Sequence, residues 1–287
     1  MDIYDKLPET APDGLYTPDV GEWGRQKYLR LWTYASIFAR GMKHQHRHRV
    51  YIDLFAGAGK AVIRETGELV LGSPLLALSV PDPFTKYIFC DDDAERVAAL
   101  EVRVARDYPW ADRTIIHAPA MEAVPRIVAA LPTDGSVLSF CFADPYDLSF
   151  DFRIIERLAA GNRRIDFLIL LAAQMDGQRN EANYVSAESS KVERLLGDPE
   201  WREKWYAAKR SGTGFQRFLM QQYCTAMEAI GYKRPRESDA YRVRTESGQV
   251  PLYYLLFFSR HELGYHFWRQ AMKSSLVQRD FMDDLGF

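Results

Sequence analysis

The sequence predicts an α/β protein built on a mostly parallel sheet. Along the first 171 residues, five short apolar runs bounded by turn residues alternate with helical stretches such as AERVAALEVRVARDY. Strands that are apolar on both faces, in this alternation, are typical of a parallel sheet covered by helices on both sides. A helical block follows, and strand signals return near the end. We therefore expect one layered domain that spans residues 1–287, with a helical insertion before its last strands.

The elements follow in order along the chain. An amphipathic helix is predicted from about Trp23 to Met42, within an N-terminal extension that covers residues 1–49. The five strands are VYIDLF (50–55), KYIFCD (86–91), TIIH (114–117), VLSFCF (137–142) and IDFLILL (165–171). The insertion covers residues 176–232, and no flexible linker marks its edges. The final strands are AYRVRT and PLYYLLFFS, before the helix GYHFWRQAMKSSL.

Composition limits the kind of partner and compartment. Lys and Arg total 37 against 39 Asp and Glu, so binding to nucleic acid would have to depend on a local basic patch. The three cysteines are widely spaced, which argues against a disulfide framework, a zinc knuckle or an iron-sulfur cluster. The longest apolar run, FLILLAA, is too short to span a bilayer, and no secretory signal is present. We expect a cytoplasmic protein without a metal site or a membrane partner.

A glycine cluster follows the first strand, in YIDLFAGAGKA. Gly57 and Gly59 would let the backbone approach a ligand that lies across the strand ends, because glycine tolerates a positive φ. Asp91 ends the next strand and could accept hydrogen bonds from ribose hydroxyls. It follows Gly59 by 32 positions (91 − 59), where about 20 is usual. The alternative is a glycine turn and a solvated acidic turn without a ligand.

An inserted loop would explain the long interval between the glycines and Asp91. We expect residues 60–71 to form this loop, and the first helix of the sheet to begin at GSPLLAL. Ser73 would cap that helix, with Pro74 at its first position.

These segments resemble a known family. DLFAGAG, GSPLLAL, FCDDDAERVAAL and FADPYDLSF are similar to motifs of class I S-adenosylmethionine-dependent methyltransferases, which have a Rossmann-like fold. With EWGRQKYLRLWTY, LLGDPEWREKW and PLYYLLFFSRHELGYHFW, the resemblance narrows to the three-Cys-motif partner (TcmP) family. The resemblance implies S-adenosylmethionine as cofactor and a radical-SAM-like protein, which carries the three cysteines, as partner. It does not imply a particular substrate.

The resemblance also implies which residues bind the cofactor. The residues expected around the methionine moiety are Asp53, Phe55, Ala56, Gly57 and Gly59, and those expected at the ribose are Asp91 and its neighbour Asp92. One position departs from the pattern of many such enzymes. Pro119 stands where an Asp or Asn usually binds the adenine amine, so that contact would fall to a backbone carbonyl or to Glu122.

The turn after the fourth strand carries the expected chemistry. In amino-group methyltransferases an Asp-Pro-Pro-Tyr type turn accepts hydrogen bonds from an exocyclic amine and stacks on a flipped-out base. Asp144, Pro145 and Tyr146 would supply the acceptor, a rigid carbonyl and the stacking face, although the second proline is missing. The alternative is an ordinary turn that ends a strand.

Basic residues offer contacts to an anionic substrate. Lys27 and Arg179 match positions where the TcmP family carries a basic residue, and we expect them to bind substrate, with Arg179 just past the fifth strand. The run RGMKHQHRHR (40–49) could contact phosphates, or could simply suit the end of a helix.

Three functions remain open. The first is methylation of an exocyclic amine, in particular the amine of a nucleic acid base. The second is a non-catalytic, methyltransferase-like subunit that binds a radical-SAM-like protein and DNA, in DNA damage processing. The third is a related fold that binds a different nucleotide or carries out another nucleic acid reaction. The turn at Asp144 favours the first function. Pro119 and the missing second proline of that turn favour the second, and Pro119 alone points to the third.

Overall fold

The computed structural model of the chain describes residues 7–172, 177–186, 189–244 and 251–273, and the side chains of 177–180 and 251 lie outside this description. The strands are β1 (Asp19–Val20), β2 (His48–Asp53), β3 (Lys60–Ile63), β4 (Leu69–Leu71), β5 (Lys86–Asp91), β6 (Arg113–His117), β7 (Val137–Ala143), β8 (Ile165–Leu171), β9 (Tyr241–Arg244) and β10 (Pro251–Phe258). The helices are α1 (Gly24–Gly41), α2 (Ser73–Leu78), α3 (Ala94–Asp107), α4 (Ala120–Ala130), α5 (Phe152–Ala159), α6 (Gly177–Val185), α7 (Lys191–Leu196), α8 (Trp201–Arg210), α9 (Phe215–Ala229) and α10 (Glu262–Met272).

Seven strands form the central sheet, in the order β6-β5-β2-β7-β8-β10-β9. The first five in this order are parallel to their neighbours, whereas β10 runs antiparallel to both β8 and β9. The predicted fold class, a Rossmann-like and mostly parallel sheet with an N-terminal helix and a helical insertion, is confirmed. β5 and β8 cover the predicted runs without any shift.

Helices cover both faces of the sheet, because alternate strand residues are apolar on each side. On one face, Tyr51 and Phe140 pack against α1, α2, α3 and α10. On the other face, Ile52 and Cys141 pack against α4, α5 and the helices of the insertion. The face of α1 predicted to be apolar is buried throughout, from Tyr28 to Met42.

The prediction for residues 60–71 was wrong. They form a hairpin of β3 and β4, to which β1 adds a third, parallel strand. The β-branched residues of KAVI and LVL pair readily across a turn at Gly67, whose φ is +70°. Ser73 is the first residue of α2 and not its cap, which is Gly72. The Ser73 hydroxyl instead forms a hydrogen bond with Asp53.

The described residues of the insertion form the helices α6 to α9, and α7 packs onto α5. Trp201 and Trp205 of α8 are buried, with Trp205 against Phe215 and Phe218 of α9. These tryptophans therefore belong to the core. The three cysteines are free and buried. Within the described ranges, no helix is long and apolar enough to cross a membrane.

Candidate functional site

The order of the strands locates a candidate site. From β2 the chain proceeds outward to β5 and β6, then returns to the other side of β2 to form β7 and β8. In open α/β sheets, ligands bind beyond the carboxyl ends of the strands, at the point where this direction reverses. The segments that follow β2 and β7 meet there, and Asp53 lies opposite Phe142. The glycine cluster and the turn at Asp144 are thus brought to the same edge of the sheet.

Backbone hydrogen bonds hold the glycine turn, residues 56–59, in place. Ala56 N–H donates to the Cys90 carbonyl at 2.8 Å, and the Gly59 carbonyl accepts from Gly72 N–H at 2.8 Å. Both glycines have positive φ, +62° at Gly57 and +86° at Gly59. A Cβ at Gly57 would meet no atom of the described residues within 4 Å, so these residues leave open space beside it.

The Asp91 carboxylate also holds the glycine turn, through hydrogen bonds that it accepts. Its Oδ2 accepts from Gly57 N–H at 2.7 Å, and its Oδ1 accepts from Asp93 N–H at 3.1 Å. Burial raises the pKa of this carboxyl above its ordinary value, although these N–H donors and Arg96 act in the opposite direction. A carboxylate has about four lone-pair sites, so Asp91 keeps the capacity to accept further donors, such as ligand hydroxyls. Asp92, beside it, is exposed.

Asp53 lies in the core at the end of β2. It has no exposed surface and accepts hydrogen bonds from Tyr51 Oη at 3.0 Å and Phe55 N–H at 3.3 Å. Burial is the largest influence on this carboxyl and raises its pKa to about 7, against these hydrogen bonds. Asp53 thus supports the strand end from inside the core. The half-buried Phe55 ring packs edge-on against Phe150 at 5.9 Å.

Two residues that the sequence assigned to different roles form one ion pair. Lys27 Nζ of α1 contacts Asp144 Oδ2, just after β7, and only 10% and 19% of the two side chains are exposed. Burial alone would lower the pKa of Lys27, but the Asp144 carboxylate and the nearby Tyr28 and Tyr253 raise it above its ordinary value. The ammonium also lies 4.9 Å from the Tyr28 ring. Lys27 is therefore a partner of the expected acceptor group.

The residues that follow Asp144 differ sharply in exposure. Pro145 is buried, whereas the Tyr146 side chain is fully exposed. Asp147 accepts from Ser149 N–H at 2.7 Å and pairs with Lys191 of α7 at 2.7 Å. The turn is thus anchored on both sides of Tyr146, and it holds one aromatic ring in solvent.

The position expected to bind adenine offers no free acceptor. Pro119 caps α4, and its carbonyl accepts from Glu122 N–H at 2.9 Å and Ala123 N–H at 3.0 Å. Glu122 itself is exposed. The Pro119 carbonyl is thus engaged in the helix, and adenine binding by another backbone carbonyl or by Glu122 stays a prediction.

The remaining basic residues lie elsewhere or are occupied. Arg40 and Lys43 both bind Asp82, and Arg47 binds Asp134. This cluster lies at the end of α1 and the start of β2, away from the carboxyl ends of the strands, which favours its interpretation as a helix end. Arg179 belongs to α6, and its side chain lies outside the described residues. Among the residues that are described, no three His, Cys, Asp or Glu side chains could together hold a metal ion.

Sequence reasoning missed one residue at the site. Tyr253, on β10, is only 3% exposed, and its buried hydroxyl has no hydrogen-bond partner among the residues that the structure describes. It lies close enough to Lys27 and Asp144 to affect, and be affected by, their charges. In the sequence, Tyr253 stood out only as one residue of an apolar strand. It reaches the site because β10 pairs with β8, which is distant in the sequence.

Comparison with known proteins identifies no family for this chain. The sequence matches no protein-family model and no curated protein. Among solved structures, the Legionella pneumophila protein LPL1258 is 8% identical, with a TM-score of 0.45 over 85% of this chain and 90% of its own.

Two further solved structures are methyltransferases. An O-methyltransferase from Bacillus cereus, in complex with SAH, is 9% identical, with a TM-score of 0.42 over 79% of this chain and 80% of its own. Magnesium protoporphyrin IX methyltransferase from Synechocystis, with bound SAM, is 11% identical, with a TM-score of 0.41 over 87% of each chain. Similarities of this size say nothing about the activity of this chain.

Proposed function

We propose that the chain is an S-adenosylmethionine-dependent methyltransferase that acts on an exocyclic amine of a nucleic acid base. One observation carries the proposal. At the point where the strand order reverses, a glycine turn with open space beside Gly57 lies next to the segment that bears Asp144 and the exposed Tyr146. A cofactor pocket and an acceptor pocket would thus share one edge of the sheet.

The residues at the glycine turn fit the cofactor. Gly57 and Gly59 hold the turn in a conformation that other residues adopt only with strain, and no side chain from the described part of the chain fills the space beside Gly57. Asp91 has spare acceptor capacity for ribose hydroxyls, with the exposed Asp92 at the rim. Bound S-adenosylmethionine would supply a methyl group that its sulfonium already activates. The task of the protein is then to orient the acceptor.

The turn after β7 supplies that orientation. Asp144 would accept a hydrogen bond from the amine and aim its lone pair, while Tyr146 would stack on the base. Lys27 contacts Oδ2 of Asp144, so the amine would bind through Oδ1 or would displace the ammonium. An anionic group on the substrate, such as a phosphate, would favour displacement because it offers Lys27 another partner.

Membership of the TcmP family is part of the proposal, together with its radical-SAM-like partner. The support is the set of motifs quoted above, from EWGRQKYLRLWTY to PLYYLLFFSRHELGYHFW. Arg179 would then contribute to substrate binding from α6.

A second function has observations of its own. Asp144 is neutralised by Lys27, and the Pro119 carbonyl is already engaged by α4. Both features suit a non-catalytic subunit that keeps the fold and binds its partner and nucleic acid. The two proposals differ in whether methyl transfer occurs.

Calorimetric titration with S-adenosylmethionine and S-adenosylhomocysteine (SAH) is the first test. We expect saturable micromolar binding that Asp91→Ala weakens at least about tenfold, or ~1.4 kcal/mol. Asp134→Asn, an exposed acid before β7, is the control and should bind like the wild type. Absence of binding in the wild type would overturn the methyltransferase proposal.

Transfer of a labelled methyl group to single-stranded oligonucleotides then separates the two functions. The catalytic proposal expects product from the wild type and none from the double variant Lys27→Met, Asp144→Ala, which removes the acceptor without leaving the ammonium buried and unpaired. Binding of cofactor and oligonucleotide without product would support the non-catalytic subunit.

A further inference from the structure

A segment near the N-terminus contacts the glycine turn. This segment, residues 11–17, precedes β1 and is called the strap here. Lys60, directly after the glycine turn, reaches it twice, at the Ala11 carbonyl (2.8 Å) and Asp13 Oδ2 (2.9 Å). The strap therefore lies beside the expected cofactor site, although the motifs gave it no role.

Arg103 of α3 makes the main connection to the strap. Its guanidinium is fully buried and forms a bidentate pair with Asp13, at 2.8 Å to each oxygen. Its other acceptors are the Tyr16 carbonyl at 2.9 Å, Thr17 Oγ1 at 2.9 Å, the Leu15 carbonyl at 3.3 Å and the Ala58 carbonyl at 2.6 Å. All three guanidinium nitrogens are thus engaged. Such a buried cation is tolerated only when it is paired and hydrogen-bonded.

The hydrogen bond from Arg103 to the Ala58 carbonyl connects the strap to the glycine turn. Ala58 lies between Gly57 and Gly59, in the centre of the glycine turn. One guanidinium therefore fixes the direction of a peptide in the turn and, through its other N–H groups, the whole strap. Loss of the strap would leave Arg103 without Asp13, so its bond to Ala58 would no longer be held in place.

We propose that the strap is part of the cofactor site, with Arg103 and Asp13 as positioning residues that hold the glycine turn in its binding conformation. This inference rests on the proposed function, because the ligand is S-adenosylmethionine or SAH. The coupling must be reciprocal. The docked strap strengthens binding of the cofactor, and the bound cofactor stabilises the docked strap.

Proteolysis of the wild type tests the coupling without any substitution. Tyr16 is 38% exposed within the strap, and Trp110 is 55% exposed in the loop before β6, away from the carboxyl ends of the strands. Both are sites for chymotrypsin, and cleavage at each is followed by mass spectrometry. We expect saturating SAH to slow cleavage after Tyr16 at least tenfold and to leave cleavage after Trp110 unchanged.

Asp13→Asn provides the second measurement, with Asp134→Asn as a matched control on an exposed acid. Asp13→Asn should raise the Kd for SAH at least tenfold and speed cleavage after Tyr16, while thermal unfolding confirms that it is folded. If Asp13→Asn binds SAH as tightly as the wild type does, or if SAH does not protect Tyr16 from cleavage, the inference fails while the proposed function stands. A wild type that does not bind SAH would overturn the proposed function and the inference with it.

Discussion

The two halves of the candidate site are built differently. At the ends of β2 and β5, the buried acids Asp53 and Asp91 accept hydrogen bonds mainly from neutral backbone N–H and hydroxyl groups. At the end of β7, Asp144 is paired with the buried ammonium of Lys27, and Tyr146 lies in solvent. The two acids of the first half are thus held by neutral donors, and the adjoining glycine turn is also held by the buried pair of Arg103 and Asp13. The acid of the second half is held by an ion pair.

This difference determines how each half responds to change. The main donors to Asp53 and Asp91 are neutral, so a neutral substitute for either acid leaves no buried charge uncompensated and should be tolerated by the fold. A buried ion pair fails when one partner is lost, because the other charge is left without compensation. Four predictions test this contrast.

The largest effect is expected at the ion pair. Asp144→Ala leaves the Lys27 ammonium buried and unpaired, and we expect it to lower the free energy of unfolding by ~3–5 kcal/mol. The double variant Lys27→Met, Asp144→Ala should recover most of this loss. Urea unfolding measures both.

The pair Asp147 and Lys191, in the same region, is the control. These side chains are 26% and 40% exposed, so breaking their contact should cost ~1 kcal/mol or less. Equal losses from the two pairs would contradict the claim that burial makes the pair of Lys27 and Asp144 critical.

The glycine turn should show the next largest effect. At Gly59, a Cβ would lie 3.0 Å from Leu100 and 3.1 Å from Leu75, so Gly59→Ala combines a strained φ with overpacking. We expect it to cost ~2–3 kcal/mol of stability. Gly57→Ala meets no atoms and should cost only ~1–2 kcal/mol.

Gly57→Ala should be the more stable of the two variants, but we still expect it to lose affinity for SAH. The methyl group of Gly57→Ala enters the space that we assign to the cofactor, so this variant should bind SAH weakly while it remains well folded. Thermal unfolding and calorimetry on both variants provide the measurements. Wild-type affinity in Gly57→Ala would show that the ligand does not approach that residue.

The pH dependence of stability should report on Asp53. Its pKa is raised from 3.8 to about 7 by burial, so the folded state holds a proton that the unfolded state has already lost between these values. Stability should therefore fall as pH rises from about 4 to 7, by up to ~1.4 kcal/mol per pH unit. Above pH 7 the loss from this group is complete.

Asp53→Asn isolates this contribution. The variant should show a shallower fall over the same range, measured by urea unfolding at a series of pH values. Asp166, whose pKa burial raises to about 6, contributes in the same direction in both proteins and cancels in the comparison. If the free energy of unfolding falls equally steeply with pH in the wild type and the variant, the pKa of Asp53 is not raised in the folded state.

The smallest effect on stability is expected at Tyr146. Its ring is fully exposed, so Tyr146→Ala should change the free energy of unfolding by less than ~0.5 kcal/mol. If the ring stacks on a base, the same variant should weaken oligonucleotide binding by ~1–3 kcal/mol. Fluorescence anisotropy measures that binding, with Tyr206→Ala, an exposed residue of the insertion, as control.

The sequence predicted the parts of the molecule that depend on neighbouring residues. Apolar runs located the strands of the central sheet, and the spacing of apolar residues located α1. The hairpin at 60–71 was missed because KAVI and LVL are short, and because KAVI also pairs with β1 from an earlier part of the chain. At the site, the position of the glycine turn followed from the strand before it.

Long-range contacts between side chains could not be predicted. Lys27 and Asp144 are 117 positions apart, and Arg103 and Asp13 are 90 apart. Nothing in either local sequence distinguishes a cation that faces solvent from one that is buried against a distant acid. Pairings of this kind depend on the assembled sheet.

The position of β10 has a consequence for synthesis of the protein. β8 is buried throughout, and its partner β10 follows only after the entire insertion. While the ribosome makes the insertion, β8 is therefore an apolar sheet edge with no neighbour on that side, which is the geometry that promotes aggregation. A nascent chain that ends before residue 251 should accordingly depend on chaperones until β10 is made.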